Sequence, residues 1–366
     1  MPGTPAEDGF RMPGEFERHD GTWIVWPESG TNWRDGARPA QRAYVEVARA
    51  IATSEEVTVG VSERQWENAR AALPNDVRVV ELTTNQSWVR DHGPTFVVDA
   101  SGRRRGVDWR FNNYGLNAYA RYYSAAHDDA VARKILEYER TDRYAAPIVL
   151  EGGSIHVDGE GTLVTTEECL LNPNRNGDLT EPQIEATLRA YTGTEVVIWL
   201  GRGAVDDLTS GHVDNLCCFV RPGVVLLAWT DDPSDPMQEV CLDARRRLEA
   251  ATDARGRSLD VRLVPLPPAQ YRTPDEAAGV DRTGDESLAA VAGDHLTASY
   301  INFYIANELI AVPLLDERTD DAALAVIADA FPERRVVGIA SREILLGGGN
   351  IHCITQQVPE RRDRRP

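Results

Sequence analysis

GHVDNLCCFVRPGVVLLAW, residues 211–229, reads as a polar approach, an apolar strand, a Pro222–Gly223 turn and a second apolar strand. The plan recurs along the chain. DHGPTFVVDASGRRRGVDW (91–109) turns at Ser101–Gly102, GGSIHVDGEGTLVTT (152–166) at Asp158–Gly159, and SYINFYIANELIAVPLL (299–315) near Asn307. GGGNIHCITQQVP (347–359) supplies the first strand of a fifth copy. Apolar residues at helical spacing fall elsewhere, over 37–53, 127–140, 180–192, 236–250 and 319–330. The run at 180–192 opens on Thr180, Glu181 and Pro182, a capping residue with proline in the first turn, and puts Ile184, Leu188 and Tyr191 on one face. Five hairpin-plus-helix units predict a repeated, radially arranged α/β fold rather than two domains in line. We expect one domain over 1–358 and a flexible basic tail over 359–366. Residues 255–295, richest in Pro, Gly and Asp, read as a long loop or lid, with disorder as the plainer alternative.

The bulk properties narrow the function. The 366 residues are 42% hydrophobic, enough for a large core. A formal net charge of −19 disfavours nucleic acid or an anionic membrane as partner. The same charge suits a cationic small molecule, although plain solubility explains it equally simply. No apolar run approaches the ~18 residues of a membrane helix, and the polar start MPGTPAEDGF is no signal peptide. Cys169, Cys217, Cys218, Cys241 and Cys353 form an odd, scattered set without CxxC spacing. That argues for a reducing, cytoplasmic setting and against a disulfide framework or a zinc ribbon.

The reactive residues stand where the strands begin: Trp88 and Asp91 in WVRDHGP, Glu151 in LEGGSIH, His212 and Asp214 in SGHVDN, Cys353 in GGGNIHC. Repeated units presenting one end to a common axis would bring them together. Each has a plainer use alone. Asp91 could cap a turn, Trp88 could be core, and a His-x-Asp pair is often structural. Read as a strand, 212–214 puts His212 and Asp214 on one side. Glu151 ends the apolar run APIVL, and a buried carboxylate there needs a partner. Cys217 and Cys218 lie inside NLCCFV and, like Cys169 and Cys241, read as small core residues. Cys353 differs, with three glycines before it and Thr355, Gln356 and Gln357 after it. A reactive thiol needs a histidine partner. His212 fits better than His352, which as a strand neighbour would face the other way. A metal site from His156, His212, Asp214 and Cys353 lacks chelating spacing such as HExxH, and no metal is expected.

Carboxylates beside a thiol suppress its ionisation unless a cation binds them. A guanidinium is planar, cationic and rich in forked N–H donors. Asp91 and Asp214 would hold it with its carbon near Cys353, and Trp88 would lie against its flat face or stem.

WVRDHGPTFVVD, LEGGSIHVDGEGTLVTTEECLLNPNRN, GHVDNLCCFVRPG and LGGGNIHCITQQVP together resemble the agmatine deiminases, in the peptidylarginine deiminase-like group of the guanidino-modifying superfamily, over nearly the whole chain. The resemblance implies an α/β propeller (pentein) of five ββαβ-type repeats around a central active site. It implies Cys353 as nucleophile and His212 as the acid that protonates departing ammonia and then the base that activates water. Asp91 and Asp214 would bind the guanidinium, Glu151 would orient His212 or touch substrate, and Trp88 and Asn350 would add substrate contacts. With agmatine the products would be N-carbamoylputrescine and ammonia, an early step toward putrescine. The implied partner is a cationic guanidine, with no metal or organic cofactor; a homo-oligomer is left open. Two places depart from the family pattern. Ser210 stands where Asn or Asp is usual before Gly-His, and FNNYGLNA (111–118) brings Tyr114 and Leu116 to a loop that could line the pocket's tail end. A different guanidine, amidino transfer to an amine, or a non-catalytic scaffold remain as alternatives.

Overall fold

The computed structural model describes residues 1–115, 125–282 and 290–362. Each of five units follows one plan. In the third, Cys217–Arg221 pairs antiparallel with Val224–Trp229 (Cys217 opposite Leu227), the helix Met237–Ala250 crosses over, and Asp260–Pro265 returns parallel to the middle strand. A parallel neighbour requires such a crossover, whereas the antiparallel pair needs only its short turn. Gly223 makes that turn at φ 78°, a conformation that favours glycine. The first unit repeats the plan with Thr95–Asp99, Arg104–Arg110 and Arg143–Val149, the second with Ile155–Val157, Thr162–Thr166 and Val196–Leu200, and the fourth with Tyr304–Ile305, Leu309–Leu314 and Arg335–Ala340.

The fifth unit joins the two ends of the chain. Thr355–Pro359 pairs antiparallel with His19–Val25 (Thr355 opposite Ile24), which runs parallel to Glu56–Val61 across the helix Arg38–Ala52. The first strand expected from GGGNIHCITQQVP is therefore completed by the N-terminal segment. Glu360 N–H bonds Arg18 O and Arg362 N–H bonds Gly102 O, so the start of the expected tail lies against the ring; residues 363–366 lie outside the described residues.

Middle strands have neighbours on both sides and bury both faces, which is why VVLLAW at 224–229 is continuously apolar. The helices bury one stripe each. Met237, Val240, Cys241, Ala244 and Leu248 face inward from Met237–Ala250 at three- and four-residue spacing. Glu181–Thr192 has the expected cap, with Thr180 and Gln183 forming a reciprocal capping box, and ends at Gly193 with φ 69°. The helical run expected at 127–140 is two pieces, Ala126–Asp129 and Val131–Tyr138.

The 255–295 segment is more ordered than a lid-like loop. It includes the strand Asp260–Pro265, the helix Pro274–Ala278 and a ribbon pairing Gln270–Tyr271 with His295–Leu296. Gly279 O accepts the Asp35 N–H and Asp281 N–H bonds Gly30 O, fastening the segment onto loop 28–35; residues 283–289 lie outside the described residues. Among the described residues no helix is long and apolar enough to cross a membrane, and all five cysteines are free and buried.

Candidate active site

Each unit opens with a short turn next to its first strand: Val89–His92, Gly152–Ser154, Val213–Asn215, and turns at 300–302 and 351–354. The strand reading of 212–214 is thus corrected. A chain approaching its first strand must bend there, and backbone bonds such as Leu216 N–H to Val213 O close a 3-10 turn. The side chains converge even so. Gly153 lies where three of them meet: a Cβ there would stand 2.7 Å from His212 Nδ1 and 2.8 Å from both Asp214 Oδ2 and Asp91 Oδ1.

Cys353 lies within the turn of the fifth unit. Its Sγ lies 3.5 Å from Asp214 Oδ2 and receives an N–H from Asn302 Nδ2 at 3.2 Å. Burial, with Asp214 and Asp91 nearby, pushes the thiol well above its ordinary pKa, while the Asn350 backbone N–H and the Asn302 amide pull the other way. The thiol is therefore held neutral until positive charge enters. Trp88 packs on Trp33 with centroids 5.2 Å apart. The glycines clear space for these indoles: a Cβ at Gly347 would strike the Trp33 ring at 2.3 Å, and one at Gly349 would meet Trp88 at 2.9 Å and Cys353 Sγ at 3.0 Å. Cys353, Asp91, Trp88, Tyr114 and the three glycines line one cleft of about 920 Å³, whose wall also carries Glu28.

His212 is fully buried, with Nε2 3.4 Å from Glu151 Oε2 and Nδ1 3.7 Å from Asp91 Oδ1. Burial opposes its charge, but Asp91, then Cys169 and Glu151, raise its pKa well above the usual value and favour its protonated form. Glu151 is held below the usual carboxylate range despite its burial, by His212 and by Arg175, whose Nε donates to Oε1 at 2.7 Å. Asp91 accepts the Gly153 N–H at 3.1 Å and the Tyr114 hydroxyl at 3.0 Å. Burial, with Asp214 and Glu151 adding to it against His212, raises Asp91 to about 6. Asp214 stays below its ordinary value against burial because His352 bonds it at 3.0 Å, and its Oδ1 is buried without a partner among the described residues. That oxygen is an open acceptor, while Oδ2 is the one beside the thiol.

The structure thus brings together Cys353, Asp91, Asp214, His212, Glu151 and Trp88. Asn350 is also close, but it reaches the thiol through its backbone, and its side-chain Nδ2 has no partner among the described residues. Sequence reasoning missed Asn302, although it occupies the fourth unit's own turn, where the pattern of strand starts pointed. It also set His352 aside as facing away on a strand. In the turn 351–354 that alternation does not hold, and His352 reaches Asp214. Tyr114 sits beside Asp91, with its ring 6.0 Å from His212, whereas Leu116 lies outside the described residues. Cys169, read as core, places its Sγ 4.0 Å from Glu151 Oε2.

Two donor groups have metal-like proximity, Glu15–His156–His352 and Glu151–Cys169–His212. Both are already committed. Arg90 pairs with Glu15 at 2.9 Å and Arg175 with Glu151 at 2.7 Å, while His156 Nδ1 accepts the Phe219 N–H and so carries its proton on the nitrogen facing Glu15. Guanidinium cations fill the role a metal would take.

The family model described as Porphyromonas-type peptidyl-arginine deiminase matches residues 11–359. Agmatine deiminase of Pseudomonas aeruginosa is 54% identical over 358 residues, 97% of each chain, and putative agmatine deiminase 1 of Listeria monocytogenes is 54% identical over 354 residues, 96% of this chain and 97% of its own. The structure of agmatine deiminase of Enterococcus faecalis superposes with a TM-score of 0.94 at 44% identity, covering 98% of both chains.

Proposed function

Because this chain belongs to the Porphyromonas-type peptidyl-arginine deiminase family, we propose that it hydrolyses agmatine to N-carbamoylputrescine and ammonia through a covalent adduct on Cys353. One observation carries the reading: two buried carboxylates and a histidine whose protonated form is favoured meet around Gly153, with a suppressed thiol 3.5 Å from Asp214, beside an open cleft. The guanidinium enters with its N–H groups toward Asp91 and Asp214 Oδ1. Its positive charge offsets the carboxylates that hold the thiol neutral, so Cys353 ionises when substrate is bound. The thiolate attacks the guanidinium carbon, and the C–N bond breaks as His212 gives its proton to the leaving nitrogen. Ammonia departs and an amidino-cysteine remains. Neutral His212, fixed by Glu151, takes a proton from water, whose oxygen adds to the same carbon. The C–S bond then breaks as the added hydroxyl passes its proton to the departing sulfur, returning the Cys353 thiol and releasing the ureido product. Glu28, which lines the same cleft and also meets Arg64 and Ser62, is the carboxylate that would take a distal ammonium and so distinguish agmatine from a simple alkylguanidine.

The test is direct. Acid-quenched turnover should show the amidino adduct on the peptide carrying Cys353, and Cys353→Ala should lose ammonia release with its melting temperature retained. Full activity in that variant would sink the mechanism. A panel of guanidines assayed for ureido product reads the substrate, and amidino transfer to added amines in place of hydrolysis would point to a transferase instead.

A further inference from the structure

Beneath the reacting groups, away from the cleft, runs a buried chain of charges that the reaction above does not use. His352 Nδ1 lies 3.0 Å from Asp214 Oδ2, and His352 Nε2 lies 3.1 Å from both oxygens of Glu15. Glu15 in turn receives Arg90 Nη1 at 2.9 Å. All four residues are at most 4% exposed. We propose that Glu15 and His352 are positioning residues, a buried carboxylate–imidazolium pair that keeps Asp214 ionised and aimed at the guanidinium. The proposal rests on the reading of Asp214 as a guanidinium ligand.

Both ring nitrogens of His352 face carboxylates, and a carboxylate accepts a hydrogen bond but offers none. Each nitrogen must therefore carry a proton, which makes the ring a cation. The other groups around it are consistent with that charge. His156, its ring 6.3 Å away, takes the Phe219 N–H on Nδ1 and turns its own N–H to Glu15, so it is neutral. Arg90 Nε reaches the His352 carbonyl at 3.4 Å, and the Asn302 carbonyl takes the His352 N–H. Arg90 opposes the imidazolium, whereas Glu15 and Asp214 stabilise it. Asp214, His352, Glu15 and Arg90 thus alternate in sign and sum to zero.

The consequence falls on Asp214. It shares the centre with Asp91, Glu151 and the Cys353 thiol, where an unpaired carboxylate would take a proton and lose its grip on a guanidinium. Because His352 holds Oδ2, the charge is kept, and Oδ1 is left without a partner among the described residues. Glu15 acts one step further back, by keeping His352 from losing its proton in a buried site. Without Glu15 the imidazolium would keep one carboxylate and one opposing guanidinium, and it would deprotonate at lower pH.

The experiment has two readouts. In the wild-type chain carrying ¹⁵N-histidine, long-range proton–nitrogen spectra, assigned by comparison with His352→Gln, should show both His352 nitrogens protonated over the range from about pH 7 to about pH 8, where a free imidazole is mostly neutral. A neutral tautomer within that range overturns the proposal, whether or not the chain proves to be a guanidine hydrolase. In Glu15→Gln, KM for agmatine should rise about tenfold with kcat little changed, and the alkaline limb of kcat/KM should move down by about one pH unit. Glu15→Asp should restore part of both. An unshifted profile with unchanged KM in Glu15→Gln overturns the proposal, and the wild-type spectra decide it even where that variant does not fold.

Discussion

At the residue scale, function here depends on charges placed where they cost stability. Asp91 is raised from 3.8 to about 6, so its ionised form burdens the fold at neutral pH by about 3 kcal/mol, one pKa unit being worth about 1.4 kcal/mol. The sign follows from proton binding: the folded state holds this proton more tightly than the unfolded chain, so stability is gained as pH falls through about 6. Asp91→Asn should therefore raise the urea midpoint at neutral pH by about 1–3 kcal/mol equivalent while abolishing turnover, and equal stability of the two proteins would contradict that account. The same group sets the acid side of the activity profile, where agmatine binding weakens as pH drops through about 6. On the alkaline side the loss from the Glu15–His352 pair is joined by that of His212, whose folded pKa is raised. Its stabilising charge is complete below its unfolded value and lost, together with the proton needed for ammonia release, as pH climbs through the folded one. Gly153 is the third decisive residue. An alanine methyl there would stand within 2.8 Å of Asp91, His212 and Asp214. Gly153→Ala should cut kcat/KM by about 10³-fold or more by separating those groups, and near-normal kinetics would show that the site is looser than described.

At the element scale, the turns beside the strands carry the strain. Ser210 adopts φ 66° in the loop that delivers His212, whose N–H is held by Asp207 Oδ2 at 3.0 Å. A left-handed serine costs about 1 kcal/mol relative to asparagine, which tolerates that region more readily. Ser210→Asn should accordingly stabilise the chain by about 0.5–1 kcal/mol with kinetics unchanged, as read from paired urea titrations and agmatine assays. Asn113 and Tyr114 share the same backbone region, at φ 56° and 58°. Their strain is held by Arg175, which donates to Tyr114 O, and by the hydroxyl bond to Asp91.

At the scale of the whole molecule, the ring is closed by pairing the end of the chain with its beginning. Thr355–Pro359 supplies the edge strand of a sheet whose other strands come from residues 19–81, and Asn307 of the fourth unit holds both N–H and O of His19. Ending the chain after Ile354 should leave His19–Val25 with an open edge and remove cooperative urea unfolding, whereas a single sharp transition in that variant would show that closure is dispensable. The five-unit plan, the helices, the turn glycines and the set Asp91, Glu151, His212, Asp214 and Cys353 were all legible in the chain. Each rests on local pattern, with side-chain periods of two and 3.6, glycines where the backbone must turn left-handed, and polar residues at the start of apolar strands. What local pattern could not carry was the pairing at the axis. Glu15 and His352 are 337 positions apart, and Asn302 and Cys353 are 51 apart. The sequence by itself determined which chemistry the chain brings and that a repeat would gather it. Only the tertiary structure decided which nitrogen faces which carboxylate, that Tyr114 sits beside Asp91, and that His352 reaches Asp214, because those contacts depend on how five turns from distant parts of the chain are set around one axis.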